Sequence, residues 1–274
     1  MGLAVSQALA ARSGWDLHLI DLNEATGRAA ASSLPSARFY KADATNYVSL
    51  AAAFKEAFQN SGHQLHFVFA NAGIAERDNF YKKHDIGANP PPEPDMLVTK
   101  ICFDAAITTS YLAQHYFRQS KDKQDQCLVM TASCGGIYPS YYSPMYSGSK
   151  HGVVGFMRSI SKHFWENDRI RVNAICPGVV KTNLLTQREW QNFPEEYFTP
   201  VDKIVQGVLI LVDGKDETTV EKTRIDSIQS EKKGILWGEA MEFSGWNHYY
   251  RIAPAFCDEG MKAVMKATDI EELQ

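Results

Sequence analysis

The chain has 274 residues, a formal net charge of -4 and a sequence pI near 6.1, with 45% hydrophobic and 22% charged residues. This balance suits one large globular α/β domain or two small ones, and it lacks the basic footprint of a nucleic-acid binder. No 18-residue apolar run offers a membrane span, and no basic segment precedes an apolar stretch as a secretion signal requires.

Residues 2–12 are rich in Ala and Leu and read as a helix, and DLHLID at 16–21 alternates like a strand ending in an acid. Residues 24–33 read as a helix stopped before Pro35, and ARFYKAD at 37–43 as a strand. Residues 46–59 carry Val48, Leu50, Ala51, Phe54 and Phe58 at the helical period. LHFVFANAG at 65–73 is an almost continuous apolar run closing in a polar turn, the pattern of a parallel strand buried on both faces. ANPPPEPD at 88–95 is a non-helical connection, because three consecutive prolines supply no donors. Then follow a long helix at 97–118, a buried strand QCLVMTAS at 126–133, and a second long helix at 144–166. IRVNAICPG at 170–178 is a strand ending in Pro-Gly, 201–213 a helix, and GILWGEAMEF at 234–243 a last strand.

This alternation predicts an α/β, Rossmann-type doubly wound parallel sheet, folded as a single dinucleotide-binding and catalytic domain over residues 1–274. The charged, apolar-poor residues 213–234 read as a solvated insertion or helix extension. Five scattered cysteines, Cys102, Cys127, Cys134, Cys176 and Cys257, include no CxxC pair; they fit a reducing cytoplasm rather than a disulfide or zinc framework. His63, His66 and His84 show no ligand grouping, and no metal is expected.

In open parallel sheets, ligands bind beyond the carboxyl ends of the strands. Asp21, Asp43, Asn71-Ala72-Gly73, Ser133 and Pro177-Gly178 all fall at such ends and converge on one rim. Asp21 stands 19 residues after Gly2, the spacing of an acid on a ribose 2′-hydroxyl, although the residue would equally serve as a helix N-cap. A carboxylate there repels a 2′-phosphate and favours NAD over NADP. YSGSK at 146–150 puts Tyr146 and Lys150 on one helix face, with Ser133 at the end of the preceding strand. A nearby ammonium is expected to favour the phenolate of Tyr146, whose unperturbed pKa near 10 makes it a poor base. Ser133 would hold a substrate oxygen while Tyr146 moves a proton on or off it and a hydride moves between carbon and nicotinamide.

NAG at 71–73, TAS at 131–133, YSGSK at 146–150, PGVVKT at 177–182 and GEAMEFSGWNHYYRIAP at 238–254 together resemble the short-chain dehydrogenase/reductase family, in a fungal-looking branch similar to 15-hydroxyprostaglandin dehydrogenase. The resemblance covers almost the whole chain. It implies a catalytic trio of Ser133, Tyr146 and Lys150. It also implies a cofactor site: Gly2 as the last glycine of the turn, Asp21 and Leu22 toward the adenosine ribose, Asp43 and Ala44 at adenine, Asn71, Ala72 and Gly73 at the centre, Val180 and Thr182 flanking the nicotinamide carboxamide, and Tyr146, Lys150, Pro177 and Gly178 as further cofactor contacts. Dimers or tetramers through the two long helices are implied as well.

Two departures stand against the family pattern. The stretch ICFDA at 101–105 puts Cys102 where the family carries the Asn of its proton relay, and a thiol lacks the donor and acceptor set of an amide. MGLAVSQAL fits the end of the family's glycine-rich turn, with Met1 and Gly2 as its last two positions. The first strand and most of that turn are therefore expected to be missing from the sequence, either because Met1 is an internal methionine of a longer protein or because the chain truly lacks its first, central strand. Without a central strand, two apolar edges would be exposed and most of the pyrophosphate cradle lost.

On the substrate side, residues 183–200 carry Trp190, Phe193, Tyr197 and Phe198 and read either as a helix packed on the sheet or as a lid over an apolar or aromatic alcohol. Residues 74–87 read as a polar surface loop, and Tyr138, Tyr141 and Tyr142 lie near the expected pocket. The expected function is hydride transfer between NAD and a secondary alcohol or ketone, with no nucleic-acid or membrane partner. The alternative is a non-redox or inactive relative, either a cofactor-binding regulator or a repurposed pocket. The lost glycine turn and Cys102 favour that alternative; the intact trio opposes it.

Overall fold

The computed structural model describes residues 1–85, 87, 90–217, 224–225 and 234–269. The insertion expected at 213–234 therefore lies mostly outside the described residues. In chain order the elements are α1 (Gly2–Ala10), β1 (Leu17–Asp21), α2 (Glu24–Ser32), β2 (Ala37–Lys41), α3 (Tyr47–Asn60) and β3 (Phe67–Ala70). Next come α4 (Leu97–Thr99), a π-helical turn (Lys100–Asp104), α5 (Ala105–Gln119), β4 (Cys127–Thr131), α6 (Pro144–Asp168) and β5 (Arg171–Pro177). The chain continues through α7 (Gln187–Trp190), α8 (Val201–Asp213), β6 (Arg224–Ile225), β7 (Ala240–Ser244), β8 (Asn247–Arg251) and α9 (Glu259–Lys266).

β4 and β5 are buried at every residue; β4 is almost wholly apolar, while β5 also buries Arg171 and Asn173, both hydrogen-bonded to backbone carbonyls. Their side chains alternate between two cores. Leu128, Met130, Val172 and Ala174 pack with Val153 and Met157 of α6 and Ala113 and Phe117 of α5. Cys127, Val129 and Ile175 pack with Val5 and Leu9 of α1 and Ile204, Val208 and Leu211 of α8. Helices thus cover both faces, the doubly wound arrangement. Asn caps start α2 and α3: the Asn23 side chain accepts from the Thr26 N–H at 3.2 Å and Asn46 from the Ser49 N–H at 2.9 Å.

The sheet is split. β3, β4, β5 and β7 run parallel, with β8 returning antiparallel on β7 and β6 beyond it, while β1 and β2 pair parallel in a sheet of their own. β1 and β3 do not pair with each other. A cleft of about 800 Å³ lies between them, lined by every residue of both strands. The two edges expected from an absent central strand are therefore the walls of that cleft. Side chains hold the small sheet in place: Leu17 joins the α1/α8 core, Ile20 packs against the α5/α6 core, and His18 stacks on Tyr40.

Three sequence expectations shift. The helix at 97–118 is interrupted by the π-helical turn at Lys100–Asp104. The strand at 234–243 begins only at Ala240, because Gly234 and Gly238 take positive φ and Asn173 bonds Leu236 and Glu239 across the gap. β8 went unread; a tight turn with Gly245 at φ 54° folds it back on β7. Among the described residues no helix is long and apolar enough to cross a membrane.

Candidate active site

The carboxyl ends of β1, β3 and β4 open on the cleft. Gly2, Asp21, Leu22, Asp43, Ala44, Asn71, Ala72 and Gly73 all line it, together with Cys102, Thr131 and Asn183. Asp21 is exposed at the end of β1, and its Oδ1 accepts from the Asn23 N–H at 2.8 Å. The N-cap of α2 is Asn23, so the Asp21 carboxylate holds the turn and keeps a face toward the cleft. Asp43 accepts from the hydroxyl (2.7 Å) and N–H (2.8 Å) of Thr45, and these bonds hold its carboxyl below the usual range.

Small residues keep this floor low. A Cβ on Gly2 would come within 3.1 Å of Asn71 Nδ2, and one on Gly73 within 3.5 Å of Lys150 Nζ and 3.6 Å of Cys102 Sγ. Asn71 is fixed by the Thr131 hydroxyl, which donates to its Oδ1 at 3.0 Å. The cleft is lined by the Asp21 and Asp43 carboxylates and the Asn71 amide among largely apolar residues, with the Lys150 ammonium just behind Gly73.

Near that ammonium, β4 runs into a 3₁₀ turn at Cys134–Gly136 and α6 starts at Pro144. Gly136 lets the two meet: a Cβ there would sit 2.6 Å from the Lys150 carbonyl oxygen. Ser147 Oγ donates to the Gly135 carbonyl at 2.8 Å and locks the approach. Ser133 Oγ accepts from the Gly135 N–H at 3.1 Å and faces the Tyr146 phenol, whose pKa it works to lower. Lys150 Nζ lies 5.6 Å from the centre of the Tyr146 ring and donates to the Thr131 carbonyl at 2.7 Å. Ser133, Tyr146 and Lys150 are therefore gathered beyond the carboxyl end of β4; none of the three lines the cleft, but Lys150 Nζ lies beside Gly73, which does.

The expected electrostatics need correcting. Burial pushes the Tyr146 phenol up to about 12 instead of down, with the Ser133 hydroxyl working the other way. Lys150 is 2% exposed, makes no hydrogen bond to the phenol, and is itself lowered by desolvation. Burial outweighs whatever stabilisation the Lys150 ammonium, committed to the Thr131 carbonyl, lends the phenolate.

Pro177, Gly178, Val180 and Thr182 do not line the cleft. The Gly178 N–H donates to the Phe243 carbonyl at 3.0 Å, and Val180 is buried with Ile204 and Val208. Asn183 lines the cleft in their stead and carried no sequence signal. Cys102 sits in the π-helical turn, buried, with its thiol donating to the Ile74 carbonyl at 3.3 Å. Such turns recur where a helix is bent to place a side chain at a site.

Residues 183–200 form α7, opened by a Thr186/Glu189 capping box, and a 3₁₀ turn at Glu195–Tyr197. Trp190 packs on Phe193 and Phe198, with ring centres 6.2 and 5.9 Å apart, while Tyr197 stays exposed. Tyr138 donates to Glu242 at 3.4 Å, whereas Tyr141 and Tyr142 point to solvent.

Residues 1–192 match the family model described as short chain dehydrogenase. The short-chain dehydrogenase/reductase prx7 of Penicillium rubens is 46% identical over 283 residues, covering 99% of this chain and 97% of that protein. Human 15-hydroxyprostaglandin dehydrogenase [NAD(+)] is 27% identical over 167 residues, 61% of this chain and 57% of its own. Among solved structures, 3-ketoacyl-(acyl-carrier-protein) reductase from Brucella melitensis complexed with NADH superposes with a TM-score of 0.70 at 18% identity, over 89% of this chain and 92% of that one. The family model spans residues 1–192 and the prx7 match nearly the whole of both chains, so the chain belongs to the short-chain dehydrogenase family.

Proposed function

We propose that this protein is an NAD(P)-dependent oxidoreductase that prefers NAD and acts on a secondary alcohol or ketone. The observation that carries the reading is the meeting of the Ser133 hydroxyl, the Tyr146 phenol and the Lys150 ammonium beyond the carboxyl end of β4, beside Gly73 of the cleft lining. A relative named for NAD(+) and a neighbour solved with NADH support the cofactor class. Asp21 supports NAD over NADP, since a carboxylate accepts from ribose hydroxyls and repels a 2′-phosphate.

The bound nicotinamide supplies or accepts the hydride. The chain's own groups do the rest. Ser133 Oγ, beside the Tyr146 phenol, orients the substrate oxygen against it. With a pKa near 12, Tyr146 is a protonated phenol at neutral pH and is set to give its proton to a carbonyl oxygen. Lys150 stands 5.6 Å from the ring and offsets the phenolate charge left behind. The aromatic group at Trp190, Phe193 and Phe198 covers an apolar or aromatic substrate. Assembly as a homodimer or homotetramer through α5 and α6 in the cytoplasm completes the proposal.

The test is NADH oxidation with an aromatic diketone such as phenanthrenequinone, alongside fluorescence titration of NADH. Tyr146→Phe is expected to bind NADH normally and to lose turnover by about a hundredfold or more. Full turnover in that variant would refute the mechanism.

A further inference from the structure

α6 is 25 residues long, and its first-turn amides carry a strong positive end. Ser143 stands at the N-cap, where serine normally accepts from the second or third helical N–H. Here it does not: its side chain makes no cap bond, and its Oγ pairs with Ser140 Oγ at 2.7 Å. The cap comes from far away in sequence. Glu76, in the loop after β3, accepts from the Met145 N–H at 3.3 Å and the Tyr146 N–H at 2.7 Å. The same loop is pinned two residues earlier, where the Ile74 carbonyl accepts from the Cys102 thiol.

Chain segment 73–76 therefore touches three parts of the site. Gly73 lies on the cleft floor beside Lys150, Ile74 is tied to the π-helical turn, and Glu76 grips the turn from which Tyr146 projects. A charged acceptor on two amides is stronger than the neutral hydroxyl it replaces. A local rule broken at a helix start and satisfied by a long-range group marks a functional constraint.

We infer that Glu76 is a positioning residue for Tyr146, its carboxylate substituting for the N-cap of α6 and fixing the phenol relative to the cleft floor. The inference rests on the acid–base role proposed for Tyr146. Glu76 itself moves no proton. Its loss lets the first turn of α6 fray and the phenol drift from Ser133, and small misplacements of a reacting group are costly.

The test uses Glu76→Ala and Glu76→Gln in the full chain, with NADH and phenanthrenequinone as probes. Glu76→Ala is expected to lower kcat about tenfold or more while KM for NADH changes less than about twofold. Glu76→Gln keeps one accepting oxygen and falls between. Added formate, a carboxylate small enough to fill the gap, restores part of the Glu76→Ala loss and none of a Tyr146→Phe loss. Amide exchange at Met145 and Tyr146 rises about tenfold in Glu76→Ala, with the middle of α6 unchanged.

Unchanged kcat, or KM rising in step with the loss, overturns the inference. If Tyr146→Phe is inactive while Glu76→Ala is unaffected, only the positioning role falls. If Tyr146→Phe is fully active, the acid–base reading falls first. Where the wild-type chain does not turn over this quinone, the exchange rates at Met145 and Tyr146 decide: unchanged rates in Glu76→Ala overturn the inference.

Discussion

Lys150 Nζ sits 2.7 Å from the Thr131 carbonyl oxygen at the end of β4, and this bond holds the ammonium between the strand and the cleft floor. Lys150→Met removes a charge poised beside the phenol, so turnover is expected to drop about a hundredfold or more. Stability changes little, because relief from burying an ammonium opposes the cost of an unpaired Thr131 carbonyl. Arg does not rescue, its planar fork having no room at a 2%-exposed site. Initial rates and thermal melts of the three proteins check this.

Tyr146 predicts a pH dependence. Its folded pKa near 12 lies above the ordinary value of 10.0, so the folded chain keeps the proton that the unfolded chain gives up. The stability from this difference is complete below pH 10 and is lost as pH rises toward 12. In the reaction, alcohol oxidation needs the phenolate and should accelerate with pH through the alkaline range, while carbonyl reduction holds steady near neutrality. Profiles of both directions, set against Tyr146→Phe, measure it.

Asp21 sets cofactor choice in the proposed reading. Asp21→Ser is expected to weaken NADH binding about tenfold, the worth of a charged hydrogen bond, and to strengthen NADPH binding by removing the repulsion. Fluorescence titration with both nucleotides decides; an unchanged ratio removes Asp21 from the site.

The two long helices are joined at their far ends by Asp168, which accepts from Arg118 Nε at 2.9 Å and from Gln114 at 3.1 Å. Burial works to raise the Asp168 pKa, but the Arg118 and Gln114 bonds prevail and lower it below 3.8. Its stabilisation is therefore present above that value and lost as pH falls through the folded pKa. Arg118 is nearly half exposed, so Asp168→Asn costs only about 1 kcal/mol. Acid and urea melts should show a smaller difference from wild type as pH drops.

The split sheet makes a further prediction. β1 has one partner strand and β3 has its other edge on the cleft, whereas β4 and β5 are paired on both sides. Amides of β1 and β2 should exchange with solvent at least about tenfold faster than those of β4 and β5. Equal protection would mean that the small sheet opens only with the whole chain.

Much of this was legible from residue order. The runs at 126–133 and 170–178 could only be buried strands, and strand ends such as Asp21 and Asn71 fell on one rim because parallel topology puts them there. The trio was readable because Tyr146 and Lys150 share a helix face and Ser133 ends a strand. What escaped depends on contacts distant in sequence. The π-helical turn at Lys100–Asp104 has no residue signature, the grip of Glu76 on Tyr146 spans a loop that reads as polar surface, and the sign of the phenol's shift is set by how deeply packing buries it.

The cleft between β1 and β3 has one more consequence. Asp21 and Asp43 stand at the ends of β1 and β2 in one sheet, and Asn71 and Thr131 at the ends of β3 and β4 in the other. A single molecule reaching from the first pair to the second would act as a staple across a seam that the backbone leaves open. Occupancy and rigidity would then be one equilibrium, and melting temperature would climb with ligand concentration more steeply for the small sheet than for the large one.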